Sequence, residues 1–326
     1  MKLSVSFLQT SESSTMEFFH SLIFTFHILT SISISAHRSA AVSPPCRTTC
    51  GTLSIKYPFG TGYGCGSPRF SSQVTCSSDD RFLLNTHTGN YPITSISYSD
   101  STVVISPPSM STCSKMHESS QTLGIDWTGP FQLGSSAFLL LDCKSPSVSL
   151  SIRGSGVCDL SYAHLCASIY SCPSVVDLGL PLFPPTNSCC VYSPANFDGK
   201  GELDLRELKC GGFSSIVSLG EYETNPMRWE YGVELKYGYG ALENSVMESK
   251  CKGCEMSGGA CGFTPPENLF VCVCERGFNT TTDCKSNDLT QEFFWSSASS
   301  PVAVWFWSRW FLLLVAFLLF HCGSFV

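Results

Sequence analysis

Basic residues are scarce in this chain. Nineteen Lys and Arg stand against 26 Asp and Glu over 326 residues, a formal net charge of −7. No nucleic-acid partner is expected, because neutralising phosphates needs a basic face. Histidine is scarcer: of seven, His20, His27, His37 and His321 fall in or beside the apolar ends, leaving His87, His117 and His164 in turn-rich contexts. The nucleophile elbow GxSxG, the zinc-protease helix HExxH, the phosphate-cradling GxxxxGK[ST] and the kinase set VAIK, HRD and DFG are all missing. Without such constellations no enzyme is expected and no catalytic residue is assigned. Paired CxxC motifs are missing too: Cys251-x-x-Cys254 stands alone, beside Cys272-x-Cys274. Zinc ribbons need two such pairs as reduced thiols, so neither a metal nor another cofactor is expected.

Cysteine is abundant, with 19 residues. Eighteen form an even interior set: Cys46, Cys50, Cys65, Cys76, Cys113, Cys143, Cys158, Cys166, Cys172, Cys189, Cys190, Cys210, Cys251, Cys254, Cys261, Cys272, Cys274 and Cys284. Cys322 lies apart in the apolar tail. An even set between apolar ends reads as an oxidised ectodomain, with every interior cysteine in a disulfide of unknown partner.

The ends read as targeting signals. Phe18 to Ile34 is apolar and is followed by Ser35, Ala36, Ser39, Ala40 and Ala41, so residues 1–41 resemble a secretory signal peptide, with Met1 or Met16 as initiator. The segment 285–301 carries a small-residue run with Ser296 and Ser297 as candidate attachment residues, and 302–326 is hydrophobic. This reads as a GPI-attachment signal or a single transmembrane helix. Arg309 inside the run favours the removable signal, since a charge at bilayer depth costs about 3 kcal/mol.

Between the ends, short alternating stretches and frequent breakers predict mainly β structure in small disulfide-rich domains, an irregular antiparallel scaffold. Thr94–Ser99 and Ser101–Ser106 read as strands bent at Asp100, and Phe138–Leu141 as a short apolar run. Asp198–Leu208 reads as a turn entering a short helix, and Trp229–Tyr237 as a strand. Charge changes along the chain. Residues 42–145 hold six basic and six acidic side chains, whereas 146–297 hold ten against eighteen, a net of minus eight. A division near 145/146 follows, giving domains 46–145 and 146–284. The final cysteines, spaced as in growth-factor-like modules, must rely on crosslinks rather than an apolar core. Asn279-Thr280-Thr281 is the standard N-glycosylation sequon.

One stretch differs in kind. Lys56-Tyr57-Pro58-Phe59-Gly60-Thr61-Gly62-Tyr63-Gly64-Cys65-Gly66-Ser67-Pro68-Arg69-Phe70 alternates aromatics with bases in a loop pinned by Cys65. Aromatic faces and oriented polar groups suit sugars, and Arg forks or Lys suit carboxylated ones. The candidate ligand residues are therefore Arg47, Lys56, Tyr57, Tyr63, Arg69 and Arg81, while Phe59 and Phe70 read better as core.

Cys46-x3-Cys50-Gly51, Tyr57-Pro58-Phe59-Gly60, Gly64-Cys65-Gly66 and Cys76 closely resemble the galacturonan-binding domain of plant wall-associated receptor kinases. Gly129-Pro130-Phe131 and Leu141-Asp142-Cys143 look like its end. Cys251-x-x-Cys254-x2-Ser257-Gly258-Gly259-x-Cys261-Gly262 with Phe270-x-Cys272-x-Cys274 resembles the C-terminal module of the same family. With Cys189-Cys190 and Trp229–Leu235, the resemblance covers nearly all of 46–284. It implies a non-enzymatic ectodomain at the outer face of the plasma membrane or in the wall. Such a protein would bind acidic wall polysaccharide (pectin-type galacturonan) as a wall–membrane link or co-receptor, with any receptor partner unidentified. The rival readings are a protein or peptide ligand with a degenerate sugar site, and an enzyme acting on wall polysaccharide. The family's kinase is not expected in this product.

Overall fold

The computed structural model describes residues 46–285, apart from 120, 127, 146–149, 153–154, 195–196, 199, 239–243 and 275–278. The expected leader 1–41, the candidate attachment residues Ser296 and Ser297, and the apolar stretch 302–326 lie outside the described residues. Among the described residues no helix is long and apolar enough to cross a membrane.

The chain is mainly antiparallel β, as its alternation predicts. One sheet has six strands in the order Val74–Cys76, Phe82–Thr86, Gly89–Ser97, Thr102–Ile105, Val233–Tyr237 and Phe131–Leu133. The expected bend at Asp100 joins its third and fourth strands, with Ser101 in the left-handed region at φ 54°. A second sheet has four strands in the order Cys190–Tyr192, Ala137–Cys143, Cys210–Ser218 and Glu230–Tyr231.

Ala137–Cys143 explains why the apolar run Phe138–Leu141 does not alternate. Side chains on a strand point to opposite faces in turn. Phe138 and Leu140 enter the main core, with Phe59, Phe70, Phe82 and Leu235. Leu139 and Leu141 enter a second core on the other face, with Leu165, Ile169, Tyr170, Val175 and Trp229. The helix Ala163–Ile169 supplies part of that second layer. A strand covered on both faces must be apolar throughout. Its burial on both sides makes it the middle of the molecule.

Strands from both sides of the division expected at 145/146 share these sheets. Leu235 pairs with Val103 on one side and Leu133 on the other. Cys210 lies opposite Cys143 in the ladder and is also bonded to it. Net charge shifts near 145, but pairing follows apolar faces and backbone hydrogen bonds, which charge does not mark.

The C-terminal part is built differently. The helix Asn244–Met256 packs on a three-stranded sheet of Gly259–Thr264, Leu269–Cys274 and Asn279–Thr280. Cysteine spacing alone did not reveal this helix. Cys251 and Cys254 stand three apart on it, hence on one face, and bond to Cys261 and Cys272. The small core here is six buried residues, five of them cysteine. Bridges contributing typically about 2–4 kcal/mol each stand in for apolar burial.

Nine disulfides use all eighteen interior cysteines. The remaining pairs are Cys46–Cys65, Cys50–Cys76, Cys113–Cys172, Cys158–Cys190, Cys166–Cys189 and Cys274–Cys284. Across all nine bridges the sequence separations run from 10 to 67 residues. The sulfurs of Cys272, Cys274 and Cys284 lie within 4.8 Å of one another. Each belongs to a bridge, so no thiolate is left there to ligate a metal.

Candidate functional site

The aromatic and basic loop of residues 56–70 is an anchored turn. Phe59 is 2% exposed and sits among aromatic rings: Tyr237 at 4.8 Å, Phe70 at 5.4 Å, Phe82 at 6.0 Å and Phe131 at 6.3 Å. The Ser67 amide donates to the Pro58 carbonyl at 2.8 Å and closes the loop over that ring. Gly66 lies at φ +70°, and a Cβ there would meet the Phe59 carbonyl carbon at 2.5 Å. At Gly60 a Cβ would meet Cys65 backbone atoms at 2.3 Å. Only glycine fits either position, because the two arms of the loop are in backbone contact.

The C-terminal sheet grips the same loop. The Gly66 amide donates to the Cys261 carbonyl at 2.8 Å, and the Phe263 amide donates to the Gly64 carbonyl at 2.8 Å. The Tyr57 amide donates to Glu255 Oε1 at 2.6 Å, and the Tyr57 ring packs against the C-terminal cysteine cluster. Half-buried Glu255 has its carboxyl pushed above the usual range by burial, opposed by the Tyr57 amide and by the charge of Lys56.

The six candidate ligand residues therefore divide. Tyr57 faces the domain contact rather than open solvent. The isolated stretch held no sign of this, since Glu255 lies 198 residues away. Arg47 donates to Asp80 at 2.8 Å, and Arg81 lies 3.6 Å from Asp79. Both pairs are exposed, so each is worth only about 0–1 kcal/mol. Asp79 and Asp80 sit in the turn that leads to Phe82, where each meets its own arginine. Lys56 and Arg69 are exposed and make no ion pair among the described residues. The Lys56 ammonium stands 6.0 Å from the Tyr98 ring centroid. Tyr63 is 73% exposed at the loop tip, its ring 6.5 Å from that of Phe263. Lys56, Tyr63 and Arg69 are thus outward side chains of an anchored loop whose Phe59, Cys65 and Phe70 face in.

Sequence reasoning overlooked a polar cleft of about 650 Å³ lined by Gln73, Asn85, Thr86, His87, Asp126, Lys200 and Glu202. His87 stands in the turn between Phe82–Thr86 and Gly89–Ser97, and its Nε2 lies 3.2 Å from Glu202 Oε1. Glu202 is placed by a two-residue ladder in which it opposes Gly124. Asp126 Oδ1 accepts from the Thr128 hydroxyl at 2.7 Å and the Thr128 amide at 3.0 Å. The Thr128 hydroxyl bond holds the Asp126 carboxyl below its usual range against the effect of burial, with further help from the Thr128 amide and His87. His87 and Glu202 are 115 residues apart, so no local motif advertises the cleft.

Residues 46–107 match the family model described as wall-associated receptor kinase galacturonan-binding. Residues 199–277 match the one described as wall-associated receptor kinase C-terminal. Over 245 residues the chain is 25% identical to a protein described as wall-associated receptor kinase-like 20 of Arabidopsis thaliana. That alignment covers 72% of this chain and 35% of the relative, so this chain spans about a third of its relative's length. No solved structure matches. No kinase domain is evident in this chain.

Proposed function

We propose that this chain, which carries both the galacturonan-binding and the C-terminal domain of the wall-associated receptor kinases, is a non-enzymatic binder of pectin-type galacturonan at the cell surface. It acts there as a wall–membrane link or co-receptor. The observation that carries the reading is the loop of residues 56–70, inside the galacturonan-binding match. It presents Lys56, Tyr63 and Arg69 outward on a backbone locked by Phe59, Cys65 and the C-terminal sheet. A rigid display loses little entropy on binding. Arg47 and Arg81 join when the polymer's carboxylates replace Asp80 and Asp79 as partners. Each exposed pair is worth about 0–1 kcal/mol, so affinity comes from several uronates engaged along one chain. The net negative charge of the whole chain keeps that affinity weak. Nine disulfides agree with an oxidising, extracellular setting.

The test uses the whole protein, because the strand Val233–Tyr237 completes the sheet begun by residues 74–105. De-esterified oligogalacturonate is titrated at low and high salt against the parent and Lys56→Ala/Arg69→Ala. Binding should weaken at high salt and in the double variant. Salt-independent binding, or a double variant as good as the parent, refutes the assignment of these residues.

A further inference from the structure

The polar cleft lies apart from the basic loop, and its chemistry differs. Asp126 and Glu202 bring two negative charges and Lys200 brings one positive, so the wall carries minus one with His87 neutral and zero with it protonated. A polyanion gains little there. The unused hydrogen-bonding capacity, by contrast, is large and of both kinds. Gln73 and Lys200 make no side-chain bond among the described residues. Asn85 Oδ1 accepts from the Thr75 hydroxyl at 3.4 Å, and the Asn85 amide donors have no partner among the described residues. Among the described residues the bonds to the Asp126 and Glu202 carboxylates likewise use one oxygen of each.

Free donors and acceptors thus converge on one cleft from three distant segments. Gln73, Asn85, Asp126 and Glu202 are half-buried in its wall, with His87 and Lys200 at the exposed rim. Among the described residues no Phe, Tyr or Trp lines it, and the His87 imidazole is the one ring at its rim. Vicinal hydroxyls are the groups that pair an amide donor with a carboxylate acceptor in this way. The volume lies in the range of small-ligand sites, about 300–1,000 Å³.

We propose that this cleft is a second carbohydrate site, taking a neutral, hydroxyl-rich sugar residue at the end of an oligosaccharide. Gln73 and Asn85 donate to its hydroxyls, Asp126 and Glu202 accept from them, and Lys200 and His87 close the rim. The inference does not depend on galacturonan binding at the loop.

The experiment titrates the whole protein with neutral di- to tetrasaccharides of galactose, glucose, arabinose and xylose, and separately with oligogalacturonate. Parent, Gln73→Ala/Asn85→Ala and Lys56→Ala/Arg69→Ala are compared, with melting temperatures as the check on folding. The expected result is a neutral saccharide that binds the parent independently of salt, is bound at least tenfold more weakly by the cleft variant, and is unaffected by the loop variant. In the parent protein that saccharide should also move the His87 imidazole resonances, a readout that needs no substitution. The proposal is overturned if no neutral saccharide in the panel binds, if the cleft variant binds it as the parent does, or if oligogalacturonate is the ligand that moves His87. Oligogalacturonate binding undiminished in the loop variant, with the neutral saccharide lost only in the cleft variant, would refute the loop assignment and leave the cleft standing.

Discussion

Replacing Phe59 by alanine separates a core aromatic from a ligand aromatic within one loop. The ring is 2% exposed and touches Tyr237, Phe70, Phe82 and Phe131 with centroids 4.8 to 6.3 Å away. Truncating a buried Phe costs about 3–5 kcal/mol, more where the walls cannot collapse. Here they are stiff: the loop is tied by Cys46–Cys65, and Phe82, Phe131 and Tyr237 sit on three strands of one sheet. A cost near 4 kcal/mol is expected. For a domain of this size each kcal/mol lowers Tm by about 2–4 °C, so the drop should be roughly 8–16 °C. Tyr63→Ala, four positions on and 73% exposed, should change stability by no more than about 0.5 kcal/mol. Calorimetry or denaturant melts with disulfides intact would measure both, beside oligogalacturonate affinity. If Phe59→Ala melts within about 2 °C of the parent, or Tyr63→Ala melts as low as Phe59→Ala, the division into inward and outward faces is wrong.

Glu255 gives a pH prediction. Its carboxyl is raised in the folded state by burial, so the folded protein holds its proton to higher pH than the unfolded chain does. Stability from this group is full below the unfolded value and falls as pH rises through the folded one. Glu255→Gln keeps an oxygen for the Tyr57 amide and removes the charge. It should therefore melt at or above the parent near neutral pH, with the gap closing in acid, and a gap that instead widens in acid would contradict this. Asn279 is exposed at the start of the edge strand Asn279–Thr280, and the protein from a secreting host should carry a glycan there. An unchanged gel mobility after enzymatic deglycosylation would rule that out.

Composition and order of residues were enough for the mainly β class, the oxidised state of the cysteines, the family resemblance and the inward role of Phe59 and Phe70. These follow from local rules: alternation sets strand faces, Gly and Pro end strands, and an even cysteine count in an exported chain implies bridges. Partnership was beyond reach, because it joins residues that no periodicity connects. Tyr57 reads as a ligand aromatic, and only the fold lays its amide on Glu255, 198 residues on, and its ring against the C-terminal cysteine cluster. Arg47 and Arg81 read as free bases, although Asp80 and Asp79 fold back to meet them. The charge change near 145 reads as a division, yet Val233–Tyr237 returns to the first sheet and pairs between Thr102–Ile105 and Phe131–Leu133. The cleft exists only because Glu202 is laid beside His87 by a two-residue ladder to Gly124. Chain order sets which side chains can be inside, and the tertiary fold sets which charges and hydrogen-bonding groups meet and which are left for a ligand.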